Sequence, residues 1–223
     1  MKQILNRRLL AFLLCAALLV TICGCRKKNP FSDLPLDNES VVSLETMWGK
    51  SFSELEEEWD FSLEDLVEEV TGSGRWSLER KMKVGGKDFW QSLLVAKNNM
   101  LSGFVFRCYC DSAEEVAEIA EMLYLAAVEE YGKAKHGHLT GPSFLDNEGV
   151  FDEIRKAKGG GWNIAWVVGE FSYLLMEVMV DEDEEWFTVE LKYSVLPEEW
   201  HRFDPEYKSS VSLGPTLRSD GLD

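Results

Sequence analysis

Two cysteines separated by one residue, Cys108-Tyr109-Cys110, are the most chemically capable pair in the chain. Side chains alternate along an extended strand, so residues two apart share a face and both thiols point the same way. A redox dithiol usually has two intervening residues at a helix start, where the dipole lowers the thiol pKa. Strand spacing instead leaves the two Cα atoms near the upper limit for a disulfide. Phe104 and Phe106 fall on the same face, so the pair reads as core thiols, with metal binding and redox chemistry as the alternatives. His136-Gly137-His138 offers two imidazoles, but zinc needs a third or fourth ligand and no recognised spacing supplies one. These read as exposed loop histidines. The acidic run Asp181-Glu182-Asp183-Glu184-Glu185 lacks the spaced Asp/Asn-Gly pattern of a calcium loop and reads as a solvated hairpin tip. No glycine-rich run ends in Gly-Lys-Ser/Thr, and no Gly-x-Ser-x-Gly elbow is present. The sequence therefore nominates no catalytic residue, no cofactor and no metal site.

Aromatic side chains offer the other route to chemistry. The chain holds 8 tryptophans, and most of them fit apolar stripes. Trp186 departs from this, because its strand places it on the polar side with Thr188 and Lys192. An exposed indole there would stack on a sugar or a partner protein, or else cover the sheet edge. Trp186, Thr188 and Lys192 form the candidate interaction surface.

Charge narrows the partners. The 223 residues carry 40 acidic and 23 basic side chains, a formal net charge of −17. Such a surface repels nucleic acid, whose binding rests on Lys and Arg neutralising phosphates. It also disfavours direct adsorption to anionic lipid.

The N-terminus has its own organisation. A basic start (Lys2, Arg7, Arg8) runs into an apolar block, Leu9 to Ile22, followed by Cys23-Gly24-Cys25. This is the plan of an export signal, and the block is shorter than the roughly 20 apolar residues of a membrane span. Ile22-Cys23-Gly24-Cys25 resembles the lipobox of bacterial lipoproteins, with cysteine at the position where Ala, Ser or Thr is commoner. The resemblance implies cleavage after Gly24, lipidation of Cys25, and attachment to the cell or outer membrane on its extracytoplasmic side. Removal of residues 1–24 takes three of the 23 basic residues and none of the 40 acidic ones, moving the charge from −17 to −20. Cys15 and Cys23 leave with the signal, so Cys108 and Cys110 are the thiols that remain beside the acylated residue. That is too few for a disulfide-stapled domain.

The elements that must position these residues follow in order. Residues 25–42 are expected to be the lipidated cysteine and a tether, polar and aperiodic, with Pro30 and Pro35. Arg26-Lys27-Lys28 serves either as a contact for anionic headgroups or as a solubilising spacer. One domain is expected over 43–200 and a polar tail over 201–223. Ser51-Phe52-Ser53-Glu54 and Ser62-Leu63-Glu64-Asp65 read as capping boxes for helices at about 52–59 and 62–70. Alternation predicts strands at about 76–84, 88–96 and 101–110, with Gly85-Gly86 as a hairpin turn. Ser112 opens an amphipathic helix with Val116, Ile119, Ala120, Leu123, Ala127 and Tyr131 on one stripe, ended by Gly132. Strands then follow at 162–168, 171–180 and 186–195.

This order predicts an α+β two-layer sandwich, an antiparallel sheet of about six strands with helices on one face. A helix followed by three strands occurs twice, without a shared motif to mark a duplication. "GKSFSELEEEW" (residues 49–59) and "YGKAK" (residues 131–135) loosely resemble small modules of bacterial envelope lipoproteins and of the β-lactamase inhibitor protein family. The expected role is a non-enzymatic, lipid-anchored binding module of the bacterial envelope, its partner unknown, an envelope protein or cell-wall glycan reached through its exposed sheet face or acidic helices. The alternative is a cell-wall glycan-binding factor or envelope hydrolase.

Overall fold

The computed structural model describes residues 30–58, 66–69, 74–95, 99–134, 143–144 and 149–203. Eight strands form one sheet in the order β1-β2-β3-β4-β8-β7-β6-β5. They are β1 (Val67–Glu68), β2 (Arg75–Val84), β3 (Lys87–Val95), β4 (Leu101–Tyr109), β5 (Ser143–Phe144), β6 (Gly159–Val168), β7 (Ser172–Asp181) and β8 (Trp186–Val195). Pairing is antiparallel throughout, except for the parallel edge pair β5–β6. The helices are α1 (Pro30–Asp33), α2 (Asn38–Glu45), α3 (Phe52–Glu58), α4 (Ala113–Tyr131) and α5 (Val150–Arg155), with a 3₁₀ turn at Pro197–Arg202. The fold is thus α+β with a mostly antiparallel sheet. The six long strands fall where alternation places them, and a two-residue strand at each edge raises the number to eight.

The two three-stranded meanders meet through their last strands, β4 against β8, with Arg107 opposite Glu190 and Phe106 opposite Leu191. Gly85 and Gly86 both take positive φ, 57° and 85°, as a two-residue hairpin matched to strand twist requires. One sheet face carries Phe104, Phe106, Leu191, Tyr193, Leu174, Met176, Ile164 and Trp166, all buried. Helix α4 packs here through Val116, Ile119, Ala120, Leu123 and Ala127. Its five alanines let the helix approach the sheet closely. Ser112 accepts from the Glu115 N–H at the helix start, and Gly132 ends the helix at φ 78°. Among the described residues, no helix is long and apolar enough to cross a membrane.

The segment expected to be a tether is different. Residues 30–45 form α1 and α2, and Phe31, Leu34, Leu36 and Val41 are fully or almost fully buried. Phe31 stacks on Tyr131 at 5.8 Å between ring centroids, and the Tyr131 hydroxyl donates to the Leu36 carbonyl. Asn38 Nδ2 donates to the Glu130 carbonyl at 2.9 Å, and Tyr193 donates to the Val41 carbonyl at 3.1 Å. The stretch lacks a sequence period because two prolines and short helices break it, yet Phe31, Leu34, Leu36 and Val41 point inward while Val42 stays exposed. Its tertiary partners, not its own pattern, order it.

Glu45 is the most unusual residue of this segment. It is only 7% exposed, and its carboxylate accepts from the backbone N–H groups of Glu170 and Phe171 at 3.0–3.1 Å. The Ser172 hydroxyl also donates to it, at 2.5 Å, while Trp48 Nε1 donates to that hydroxyl at 3.0 Å. Gly169, at φ 64°, turns the chain beneath it, and a Cβ at this position would collide with the carboxylate. The acid therefore satisfies the turn that joins β6 to β7 and fastens α2 to it.

The second opening helix, expected at 62–70, is not a helix where it is described. Val67 and Glu68 form β1 and pair with Ser77 and Trp76. A neighbouring strand edge with open N–H and C=O groups outcompetes a short isolated helix there. The rest of that stretch, the Cys25 region, His136, His138 and the tail from residue 204 lie outside the described residues. The loop-rich region before β6 also contains α5, which is tied to α4 by Arg155. This guanidinium reaches Glu121 and Asp152, each at 2.7 Å.

Candidate sheet-face site

The sheet face opposite α4 carries the odd-numbered residues of β4 and β7 and the even-numbered residues of β8. Register places Trp90, Arg107, Glu190, Glu177 and Asn163 in one row across five strands. Arg75 grips Glu190 with two bonds, Nη1–Oε2 at 3.1 Å and Nη2–Oε1 at 2.7 Å. Arg107 holds the same carboxylate from its own strand, Nε–Oε2 at 2.8 Å and Nη2–Oε2 at 2.6 Å. Glu69 lies 3.8 Å from Arg75 and 3.7 Å from Arg107, balancing the second positive charge. The Ser92 hydroxyl donates to Glu69.

Two guanidiniums and two carboxylates thus form a neutral cluster whose side chains are 11–25% exposed. Removal of such groups from water is costly, and mutual pairing offsets that cost without guaranteeing net stability. Its value is orientational: the fork geometry of arginine fixes the side chains on this face.

The cluster continues into aromatic rings. Arg107 Nη1 donates to the Tyr109 hydroxyl at 3.1 Å. Tyr109 and Trp186, 50% and 45% exposed, meet edge-on at 5.8 Å. At the other end of the row, the Lys81 ammonium sits 4.1 Å above the Trp90 ring. The face therefore presents rigid, amphipathic rings beside fixed charges, the combination that recognises polar surfaces with flat apolar patches.

Of the residues singled out from sequence, Trp186 is open to solvent, as its alternation implies. Lys192 is half-buried. Thr188 is buried at 5%, because Tyr109 and Met179 flank it directly on the neighbouring strands. It lies beneath the surface and does not contribute to it. Arg75, Arg107, Glu69 and Glu190 were not among the candidates. Each charge is visible in the sequence, but only the β4–β8 register brings Arg107 opposite Glu190.

Among the described residues, no guanidinium grips Glu177 in this way, and Arg107 acts on it only at longer range. Burial pushes its carboxyl above the usual glutamate range, and the adjacent Glu190 charge adds to this. Directly across the strand pair, Asn163 Oδ1 is a buried acceptor without a partner among the described residues. The folded protein thus holds the Glu177 proton at pH values where the unfolded chain has released it. Stability then falls as pH rises from the ordinary glutamate range toward the folded pKa. Glu177→Gln is expected to be more stable than wild type at pH 7 and no more stable at pH 3.5, measured by urea unfolding at both. Equal differences at the two pH values would contradict this.

The two cysteines lie on the α4 side, free and buried, Cys108 at 2% and Cys110 at 9% exposure. Cys108 Sγ donates to the Tyr109 carbonyl at 3.7 Å; the neighbouring thiol holds Cys108 below the usual thiol range and, together with burial, pushes Cys110 above it. A depression of about 590 Å³ opens beside them, lined by Cys110, Asp111, Glu182, Glu185 and Phe187. The acidic run is the turn between β7 and β8, where Asp181 Oδ1 accepts from the N–H groups of Asp183 and Glu184, both at 3.1 Å. Among the described residues, no group of three or more His, Cys, Asp or Glu side chains is arranged to hold a metal ion. Comparison with known family models, curated proteins and solved structures finds no match to the chain.

Proposed function

We propose that this chain is a lipid-anchored extracytoplasmic binding module of two layers, whose helices brace the sheet from behind and leave its other face to a partner. The carrying observation is the ordered row on that face, from Trp186 and Tyr109 through Arg107 and Glu190 to Arg75. Its rings are half-exposed while the charges that position them are paired and mostly covered. Preorganisation of this kind lowers the ordering cost of binding. The membrane enters through lipid on Cys25, an expectation that rests on the residues preceding it.

A photoreactive amino acid at position 186 tests the docking surface in the native envelope, with position 125 on α4 as control, since Leu125 is more exposed still, at 59% against 45%. A discrete adduct at 186 and none at 125 is the expected result. Equal labelling at both positions would overturn the assignment of this face. The anchor has its own test: Cys25→Ala is expected to leave the membrane fraction and carry no lipid label. Membrane retention with label would reject the anchor.

A second reading, recognition or hydrolysis of wall glycan, draws on the Tyr109–Trp186 ring pair beside the cross-strand carboxylates Glu177 and Glu190. Binding of purified wall polymer that is lost in Tyr109→Ala and Trp186→Ala, without a protein adduct, would favour it.

A further inference from the structure

We infer that the corner of the open sheet face around Trp186 recognises a lysine- or arginine-bearing segment of a protein partner, an inference that rests on the reading of this face as a docking surface. Tyr109, Trp186 and Met179 are three of the six large apolar side chains exposed among the described residues, at 50%, 45% and 45%. Register brings them together. Tyr109 and Met179 flank Thr188 on either side, and Trp186 is the next residue on that face of β8. Thr188 is buried at 5% beneath them, so the three form one continuous patch rather than single exposed residues. Gly161, opposite Met179 on β6, adds no side chain to the patch, and a Cβ there would stand 3.0 Å from the Met179 sulfur. Aromatic rings and methionine are the side chains that protein-binding surfaces favour.

The choice of a cation follows from what the neighbouring rings already hold. On the same face Lys81 sits 4.1 Å above the Trp90 ring, and the Arg107 guanidinium lies 5.8 Å from the Tyr109 ring. Among the described residues no cation lies over Trp186. Its surroundings suit one. Asp181 faces Trp186 across the β7–β8 pair, and its Oδ1 is fixed by the N–H groups of Asp183 and Glu184, both at 3.1 Å. Beyond the patch, Asp111, Glu182 and Glu185 line the depression of about 590 Å³ at the sheet end. The cations nearby are already paired, Arg107 with Glu190 at 2.6 Å and Lys158 with Glu182 at 3.6 Å. A lysine or arginine stem lies on the rings and the thioether while its charged head reaches these carboxylates. A neutral or anionic segment makes only the apolar contacts. The chain's own basic run, Arg26-Lys27-Lys28, does not reach this corner. Phe31 packs on Tyr131, at the opposite end of the 19-residue α4 from Asp111, about 28 Å away along the helix. The run extends at most about 14 Å of chain before Pro30. The occupant therefore comes from another molecule.

The test follows binding of fluorescent oligoarginine to the full chain by anisotropy at about 0.15 M salt, where attraction between exposed charges is screened beyond about 8 Å. Oligoglutamine of equal length is expected not to bind. Trp186→Ala should weaken oligoarginine binding about fivefold, the effect expected of one cation–ring contact. Two charge-matched pairs separate this corner from the acidity of the whole chain. Glu182→Gln with Glu185→Gln should weaken binding at least as much as Trp186→Ala. Glu118→Gln with Glu129→Gln on α4 should change it less than about twofold. All four glutamates are exposed, so the comparison of pairs stands even if Trp186→Ala unfolds the chain. Equal losses from the two pairs, equal binding of oligoglutamine, or unchanged affinity in a folded Trp186→Ala would overturn the inference. So would displacement of the label by neutral wall glycan as readily as by unlabelled oligoarginine. A discrete photoadduct at position 186 alongside such a result would leave the docking surface standing and remove only its preference for basic segments.

Discussion

Glu45→Ala lowers the unfolding free energy by about 3 kcal/mol, read as a shift in urea midpoint at unchanged slope. The magnitude follows from what the carboxylate leaves behind. Two backbone N–H groups and the Ser172 hydroxyl lose their acceptor, in a place where few other groups replace it. Hydrogen bonds to a charged group contribute about 1.5–3 kcal/mol each, and these three act as a unit, so their effects do not add. Gly169→Ala attacks the same junction from the other side, since its Cβ collides with the carboxylate while its φ of 64° disfavours any side chain. The two substitutions should couple: alanine at 169 costs less when Glu45 is already alanine, because the collision is gone and only the backbone strain remains. A loss below 0.5 kcal/mol for Glu45→Ala, or strict additivity of the pair, would show that water replaces the acid and that the junction is not fastened.

Phe31→Ala costs about 3–5 kcal/mol, the range for emptying a fully buried aromatic site. In a domain of this size that corresponds to a fall in melting temperature of about 8–15 °C. Phe31 is fully buried and lies against Tyr131, near the end of the helix that organises the sheet's apolar face. A residue in a solvated tether would have no such effect, so the measurement discriminates sharply between the two descriptions of residues 30–42. A melting temperature within 2 °C of wild type would return this segment to the tether.

The legible part of the molecule is the part with a clean period. β2, β3, β4, β6, β7 and β8 announce themselves by alternation, and α4 by its apolar stripe and its Ser112 and Gly132 ends. Short elements that borrow their order from elsewhere are not legible. β1 exists because β2 offers an edge, and α1 and α2 exist because Phe31, Leu34 and Val41 find cavities made by residues far away in the chain. The sheet-face cluster is hidden for a related reason. Arg107 and Glu190 are 83 residues apart, and no local rule aligns two strands that each tolerate several registers. Trp186 was visible because one strand's alternation suffices to expose it. Thr188 lies on the face that the same alternation gives it, but its covering by Tyr109 and Met179 comes from two other strands and is not legible in its own.

The packing of α1 also sets how far the domain can travel. With the first helix beginning at Pro30, four residues separate it from Cys25, the proposed lipid carrier. Even fully extended, such a link spans at most about 17 Å, against roughly 60 Å had the chain been loose to residue 42. On the proposed anchor, such a domain would not search the volume above its membrane. It would glide in a thin layer at the surface and meet partners by lateral diffusion, which selects for those that share its plane.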